Sequence, residues 1–441
     1  MRISGVISAL ILAHTAARVH DVGRKINRST IAPPPQRLLA AKFLSAPTSI
    51  RRLQAHYFTI FAVFGAVTPY ISIYLADVKG ISPSELGKIF ATGQAGVLFM
   101  PVLMTFLADR HRIVRPLLIA LFTLNLVAMT ALAGAFGFWA CLLWISVNRL
   151  ATQSQVALSD GLYFTLQADP SQPRAPFSKV RVWGTIGFTA PSIVFYVGYE
   201  FGGGITWIPW VTASAAILGI INAFGLPMRS AEIAKGKRTK VPTLEAARVL
   251  ARPPLALFTI GVGFIFFTNM AFYGFYPLYL VSEVSIAEKW VGPISSLGVG
   301  LEIFYVLSLD RLKRRFGYEG LILLGAAATL FRLVCLAYLP TPFFSVFFQV
   351  FHGLSVIGLM IVPIMYLNTH AEEGYRNSIQ GLYTMLVAGV FAIIGNVAAG
   401  YLAEIGLITL FRVSVFVCLI GIALITAGFH LQRRTKATLS P

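Results

Sequence analysis

The chain has little charge and few acidic residues. Only 12% of its 441 residues are Asp, Glu, Lys or Arg, whereas 56% are hydrophobic and the mean hydropathy is +0.75. An average soluble domain carries about 25% charged residues. This composition excludes an ordinary soluble globular domain and predicts an integral membrane protein. Its hydrophobic runs reach ~20 residues without alternation, which predicts membrane-spanning helices rather than the strands of a barrel.

The scarcity of acids leaves a large basic excess. Against 36 Lys and Arg residues stand only 17 Asp and Glu residues, so the formal net charge is +19. A charge of this size is also found in proteins that bind nucleic acids. The Lys and Arg residues, however, cluster in every second loop between hydrophobic runs, as they do in the cytoplasmic loops of membrane proteins. We therefore predict contact with the lipid bilayer and no nucleic-acid partner.

Cysteine is also scarce. Cys141, Cys335 and Cys418 each lie inside a hydrophobic run, and none belongs to a CxxC pair. This pattern gives no disulfide framework and no metal-binding spacing. The glycine run 202–204 is not followed by Lys-Ser/Thr, which excludes a Walker motif for ATP there. We therefore predict no enzyme activity and no cofactor, and any transport would be driven by an ion gradient.

Twelve hydrophobic stretches are long enough to cross a bilayer, and we predict an all-α membrane protein with one transmembrane helix in each. Numbered in chain order as spans 1 to 12, they cover approximately residues 54–76, 84–107, 115–136, 138–166, 178–200, 205–226, 254–281, 290–309, 318–338, 342–368, 377–402 and 406–430. Basic residues fill the connections after spans 2, 4, 6 and 8 and the tail after span 12. Both termini are therefore predicted to be cytoplasmic.

A long basic connection divides the chain into two pseudo-symmetric halves of six spans. We expect a six-helix bundle over 54–226, a cytoplasmic linker over 227–252, a second six-helix bundle over 253–431 and a cytoplasmic tail over 432–441. Asp109-Arg110 after span 2 corresponds to Asp310-Arg311 after span 8. Such repeats, with the solute site between them at the bilayer midplane, resemble the architecture of major facilitator carriers.

Residues 1–53 form a polar, basic extension that contains the short apolar run 3–13. This run is too short to span a bilayer and is typical of a targeting helix, while a disordered extension is the alternative. We expect the protein in a plasma or inner membrane, or in an organelle membrane if the extension is a targeting segment.

Three ionisable residues lie near the middle of hydrophobic stretches: Glu302 in span 8, Arg332 in span 9 and His352 in span 10. A charge at the bilayer centre costs at least about 2.5–3.5 kcal/mol, so such residues face an interior cavity and mark a substrate or proton pathway. For His352 alone, an ordinary interhelical contact is an equally simple interpretation. Arg149 lies at mid-depth in span 4, about three helical turns from Asp160, so both are expected to face the cavity and Arg149 is a second candidate for substrate binding.

The segments 108–112 (ADRHR) and 310–315 (DRLKRR) resemble the cytoplasmic loop motif of the major facilitator superfamily. A carboxylate in such a loop can pair with a nearby Arg and cap the next helix. We expect Asp109, Arg110, Asp310 and Arg311 to form gating loops that latch one face of the carrier. Ordinary positive-inside loop chemistry is the alternative for each segment.

Residues 179–188 (KVRVWGTIGF) resemble the MFS_1-like branch of the superfamily that contains the lactose permease and the phenylpropionate and nucleoside proton symporters. The resemblance implies that Arg181 binds substrate, that Thr185 lies one turn further on, that Phe188 stacks on the solute and that Asp160 is the carboxylate partner. The lactose permease has Trp at the stacking position, so Phe188 weakens a strict sugar assignment. The alternative for Arg181 is a cation that snorkels to the membrane surface.

In the second half, the order and depth of Glu302, Arg332 and His352 match the proton-coupling residues of the same branch. The family pattern has another carboxylate one turn after the histidine, where this chain has Ser355. The proton site is therefore expected on Glu302, or on Glu302 and His352 together. We expect the deprotonated Glu302 to pair with Arg332 and protonation to weaken that pair.

These patterns predict a proton-coupled symporter that carries a small organic solute, such as a sugar, a nucleoside or an aromatic acid, by alternating access. The expected partners are that solute, protons and the lipid bilayer, and we expect a monomer. One alternative is a proton-coupled exporter of amphipathic compounds. An alternative of another class is a membrane receptor or assembly protein that transports nothing and whose intramembrane charges are dispensable.

Overall fold

The computed structural model describes residues 48–168, 173–226, 243–370 and 376–439, and within these ranges the chain forms helices and no strands. The predictions for residues 1–47 and for most of the linker lie outside the described residues. The linker's last residues form a short helix, Thr243–Leu250, whose apolar face is buried. The last helix, Leu407–Leu439, runs through most of the predicted tail.

The helix bounds follow the predicted spans closely. Spans 1 to 6 are Thr48–Val67 with its continuation Ile71–Val78, Pro83–His111, Val114–Gly134, Phe138–Ala168, Phe177–Glu200 and Ile208–Phe224. In the second half, span 7 is Pro253–Ser282, spans 8 and 9 share Val291–Tyr338, span 10 is Pro342–Asn368, span 11 is Arg376–Thr384 continued through Met385–Phe391 and Ala392–Ile405, and span 12 is Leu407–Leu439.

The helix Val291–Tyr338 contains two spans. Its 48 residues would measure about 72 Å if straight, more than twice the ~30 Å of a bilayer's hydrocarbon core. Gly317 interrupts it with φ 67° and ψ −177°, a left-handed conformation that favours glycine. The break follows the basic segment 310–315, where the sequence predicts the loop between spans 8 and 9.

Nine of the described helices are long and apolar enough to cross a membrane, or ten if the bent pair Ser49–Val67 and Ile71–Val78 is one span. Dividing Val291–Tyr338 at Gly317 adds one more. The last is Phe138–Ala168, which has 31 residues but carries Arg149 and Asp160 in its interior. The predicted fold of twelve transmembrane helices is thereby confirmed.

The helices pack in two halves with equivalent contacts. Span 1 packs against spans 5 and 6, as span 7 packs against spans 11 and 12, and span 2 packs against span 4 as the segment of spans 8 and 9 packs against span 10. Between the halves, span 2 meets span 11 and span 5 meets the helix of span 8. The bounds of each half remain a prediction, but the pairing of helices is pseudo-symmetric.

The two ends of the molecule differ. We call the end that carries segments 108–112 and 310–315 the basic end, and the opposite end the distal end. At the distal end the halves touch at Gly87 and Gly400, where a Cβ added to Gly400 would lie 2.9 Å from the Cα of Gly87. Such close backbone contact between small residues is a common way for membrane helices to pack.

Hydrogen bonds reinforce this distal contact. The backbone N–H of Ser84 donates to the Glu404 carboxylate over 2.9 Å, and the hydroxyls of Ser192 and Ser296 lie 3.0 Å apart. Lys289 pairs with Glu200 at 2.5 Å. These groups join opposite halves, so the distal end is closed in this structure.

Candidate functional site

A cavity of about 440 Å³ lies between the two halves. Its volume is in the range of small-molecule sites, about 300–1,000 Å³. Spans 1 and 5 form its wall on one side and spans 7, 8 and 10 on the other. It reaches toward the basic end, where the exposed Lys179 lines it. Aromatic side chains form much of the wall, namely Phe61, Phe64, Phe188, Phe272, Tyr273 and Tyr276.

Span 5 places three of the predicted residues on this cavity. Arg181, Thr185 and Phe188 all line it. They are separated by four and three residues, which brings them to one face of a helix. The sequence resemblance therefore selected residues that the fold does gather at one place.

Arg181 is buried and does not snorkel to the surface, since its residue is only 5% exposed. Its guanidinium carbon lies 3.9 Å from the centre of the Phe61 ring and 5.3 Å from that of Tyr57. Stacking on aromatic faces covers the plane of a guanidinium and leaves its edges for hydrogen bonds. Its Nε and Nη2 atoms are buried and have no hydrogen-bond acceptor among the described residues.

Asp160 is held next to Arg181 without lining the cavity. The Tyr57 hydroxyl donates to its Oδ1 over 2.6 Å. The centre of the Tyr57 ring lies 5.3 Å from the Arg181 guanidinium carbon, so Tyr57 lies against both residues. A direct pairing of Asp160 with Arg181 stays a prediction.

Arg149 lies elsewhere, contrary to the expectation that it faces the cavity together with Asp160. Its stem packs against Gly93 of span 2, where an added Cβ would come within 2.8 Å of Cδ, and its guanidinium carbon lies 5.4 Å from the centre of the Phe90 ring. Both residues are on a similar face of span 4, but they are about 16 Å apart along its axis. At that distance the same face meets span 2 at one level and span 1 at the other.

Glu302 and His352 line the cavity from the second half. His352 Nε2 lies 4.0 Å from Glu302 Oε2, which is close enough for an ionic interaction but too long for a hydrogen bond. Gln349 is one turn before His352 and lines the cavity too. A Cβ added to Gly298 would lie 2.8 Å from Gln349 Oε1, so the backbone of span 8 approaches these side chains closely.

The expected ion pair between Glu302 and Arg332 is not formed among the described residues. Arg332 is only 2% exposed, does not line the cavity, and donates from Nη2 to Asn269 Oδ1 over 2.5 Å. Its guanidinium carbon lies 3.9 Å from the centre of the Phe272 ring. Span 9 thus directs Arg332 toward span 7. Sequence reasoning missed Asn269, although a polar residue inside a hydrophobic stretch was a signal that could have found it.

Seven buried polar atoms without hydrogen-bond partners among the described residues belong to four of the predicted residues. Two buried atoms each on Arg181, Arg332 and His352, and Oε2 of Glu302, have no hydrogen-bond partner in the described part of the protein. Such atoms are rare in native proteins, and each costs about 1–3 kcal/mol when it stays unsatisfied. Five of these atoms belong to Arg181, Glu302 and His352, which line one cavity, and this indicates a site that takes up protons or a ligand.

The predicted gating residues lie at the basic end. Asp109 borders a separate cavity of about 240 Å³ at the ends of spans 2 and 4, together with Arg112. Asp310 pairs with Lys313 in its own helix at 3.6 Å. Arg110 directly follows Asp109, and Arg311 directly follows Asp310, each in the same helix as its neighbour. The latch itself stays a prediction.

Comparison with known proteins extends over most of the chain. The MFS_1 like family matches residues 50–413. The maltose permease of Geobacillus stearothermophilus is 28% identical over 372 residues, which are 80% of this chain and 89% of that protein. The putative nucleoside transporter YegT of Escherichia coli K12 is 26% identical over 373 residues, 80% of this chain and 84% of that protein.

A solved structure has a similar fold. The crystal structure of the nucleoside transporter NupG superposes with a TM-score of 0.77 at 19% sequence identity. The match covers 87% of this chain and 99% of that one. It extends through both halves, so the cavity between them lies inside the matched region.

Proposed function

Since the chain belongs to the MFS_1 like family, whose matched relatives are permeases, we propose that it is a proton-coupled symporter of a small organic solute. The protein is a multi-pass membrane transporter of the major facilitator type and not an enzyme. The proposal adds the coupling ion, the direction and the residues. It also includes a monomer with both termini in the cytoplasm, which makes the basic end the cytoplasmic end.

One observation carries the proposal: Arg181, Glu302 and His352 line one cavity and each has a buried polar atom without a partner in the described part of the chain. Glu302 is the group among them that can gain a proton and lose its charge. Arg181 can receive the acceptor oxygens of a solute. The two residues line one cavity from opposite halves, so a proton on one and a solute on the other both change the interaction between the halves.

The mechanism begins with deprotonated Glu302 attracted across the cavity to Arg181, in place of the Arg332 pair that the sequence suggested. Protonation removes the carboxylate's charge and frees Arg181 for the solute. The halves then rock about the loaded cavity. Each proton that moves inward contributes about 2.3 kcal/mol per 100 mV of membrane potential.

Alternating access requires both ends to open in turn. The distal contact of spans 2 and 11, at Gly87 and Gly400, closes one end. We propose that Asp109, Arg110, Asp310 and Arg311 close the basic end when the distal end opens.

The test is uptake by the purified full chain in proteoliposomes with an imposed pH gradient, offered radiolabelled sugars, nucleosides and aromatic acids in turn. We expect at least one solute to accumulate only while the gradient lasts and to leave when a protonophore is added. If neither the pH gradient nor the protonophore changes the uptake of any transported solute, transport is not coupled to protons.

Tyr57→Phe tests the role given to Asp160. The change removes the 2.6 Å hydrogen bond, so Asp160 moves toward Arg181 and competes with the solute. A hydrogen bond to a charged group contributes about 1.5–3 kcal/mol, and we expect the apparent KM for uptake to rise about 10-fold.

Tyr163→Phe is the matched control for this substitution. Tyr163 is also a buried tyrosine, and its hydroxyl donates to the Ala175 carbonyl over 2.7 Å and not to Asp160. Its KM should stay within about 2-fold of wild type. Equal KM values for Tyr57→Phe and wild type would show that Asp160 has no part in the solute site.

A further inference from the structure

We propose that the solute of this cavity is an arene that carries one carboxylate, bound by Arg181 and by the aromatic walls. The inference rests on the proposed symport function and names the class of solute. It excludes sugars and nucleosides, the other two classes of solute that the sequence suggests.

Charge balance is the first argument. When Glu302 is protonated and His352 is neutral, the charged side chains on the cavity wall among the described residues are Arg181 and Lys179, and the nearby carboxylate is Asp160, which shares Tyr57 with Arg181. Asp160 is already engaged by the Tyr57 hydroxyl, and Arg332 by the amide oxygen of Asn269. An uncompensated charge in an apolar interior is costly. A solute with a single negative charge brings the loaded cavity close to neutrality.

The free hydrogen-bond donors match a carboxylate. Arg181 has two buried N–H groups on the Nε and Nη2 side of its fork without acceptors in the described structure, while its planar face is covered by Phe61. Arg forks bind carboxylates through two parallel hydrogen bonds. Lys179 lines the cavity at the basic end and adds positive charge along the path that an anion would take.

The walls match an arene. Phe188 and Phe61 face the cavity from the first half, and Phe272 and Tyr273 from the second. Aromatic rings prefer offset or edge-to-face contacts with one another, worth about 0.5–1.5 kcal/mol for each pair beyond the area they bury. Walls from both halves bring such contacts to both faces of a flat ring.

The experiment measures binding to the purified full chain in detergent with five probes: phenylacetate, its neutral isostere phenylacetamide, its non-aromatic isostere cyclohexylacetate, maltose and uridine. We expect phenylacetate to raise the melting temperature at the lowest concentration. Phenylacetamide should bind about 100-fold more weakly because it lacks the charge-assisted pair, and cyclohexylacetate about 10-fold more weakly because it lacks the arene. Maltose and uridine should give no shift.

Arg181→Gln should weaken phenylacetate binding about 100-fold, and Arg181→Lys about 10-fold because the charge stays and the fork is lost. Arg174→Gln is the control, because Arg174 is an exposed cation before span 5 that does not line the cavity, and it should change affinity by less than about 3-fold. The melting temperature without ligand shows whether each variant folds. If Arg181→Gln does not fold, Arg181→Lys still tests the inference.

The outcomes separate the two proposals. Maltose or uridine binding more tightly than phenylacetate, or full phenylacetate affinity in both Arg181 variants, overturns the aryl-carboxylate inference. Gradient-driven uptake of that sugar or nucleoside in proteoliposomes would still support proton symport. Tight phenylacetate binding together with uptake that ignores the pH gradient would support this inference and overturn the coupling.

Discussion

Glu302→Gln is expected to abolish accumulation of the solute against its gradient while exchange of solute across the membrane continues. Glutamine keeps the size and hydrogen bonds of a protonated glutamate and cannot release a proton. One proton driven by a pH difference of about two units supplies about 2.7 kcal/mol, which corresponds to an accumulation of about 100-fold. In the variant this ratio should fall to about 1, because the carrier then resembles its permanently protonated form.

Proteoliposomes measure both quantities: uptake under an imposed pH gradient gives accumulation, and efflux into an excess of unlabelled solute gives exchange. Glu283→Gln is the matched control, since Glu283 is an exposed carboxylate in the connection between spans 7 and 8. It should accumulate solute like the wild type. Normal accumulation by Glu302→Gln would show that Glu302 is not the proton site. Loss of both accumulation and exchange would indicate a structural role for Glu302.

Gly400→Leu is expected to reduce uptake by more than about 100-fold while the protein still folds. A Cβ at this position would lie 2.8 Å from the Pro83 carbonyl oxygen and 2.9 Å from the Gly87 Cα. These are backbone atoms of span 2 and cannot move aside as a side chain would. Overpacking costs about 1–3 kcal/mol or more, and 3 kcal/mol corresponds to about 150-fold. Because the contact joins the two halves, the strain falls on the distal-closed state rather than on either bundle.

Uptake and chemical labelling together test this expectation. Gly381→Leu is the control on the same span, since a Cβ there meets no atom within 4 Å among the described residues. In each background a cysteine replaces Ser295 on the cavity wall, and the native cysteines are buried. A membrane-impermeant maleimide added at the distal side should label it faster in Gly400→Leu. Wild-type uptake by that variant would mean that the distal contact need not close.

The site was predictable where residues were chemically out of place. Glu302, Arg332 and His352 interrupt hydrophobic stretches, and burying such groups in a membrane costs so much that they were expected to face a cavity, whereas Arg181 was expected there because of the family resemblance. Arg332 does not line the cavity, but Glu302, His352 and Arg181 do. The aromatic wall was not predictable in the same way. Phe61 and Phe272 are ordinary in a hydrophobic span, and nothing in the sequence distinguishes a ring that faces lipid from one that faces a solute.

The partners of the buried charged residues could not be predicted from the sequence, for a different reason. Order and depth suggested that Arg332 binds Glu302, and helix periodicity suggested that Arg149 and Asp160 share the cavity. Both inferences used position along a helix. A partner is decided by the rotation of each helix and by the neighbour it crosses at that level, so Arg332 meets Asn269 and Arg149 meets Phe90.

The amino-acid sequence by itself determined that this protein crosses a membrane twelve times and has titratable groups near the bilayer centre, where burying a charge costs the most free energy. Hydrophobic length and the energy of burying charge are properties of single segments, so they can be read along the chain. The tertiary structure alone decided which of those groups face each other, which end is shut, and that the chamber is walled by aromatic rings. Those features arise from the relative rotation and close approach of helices remote in sequence.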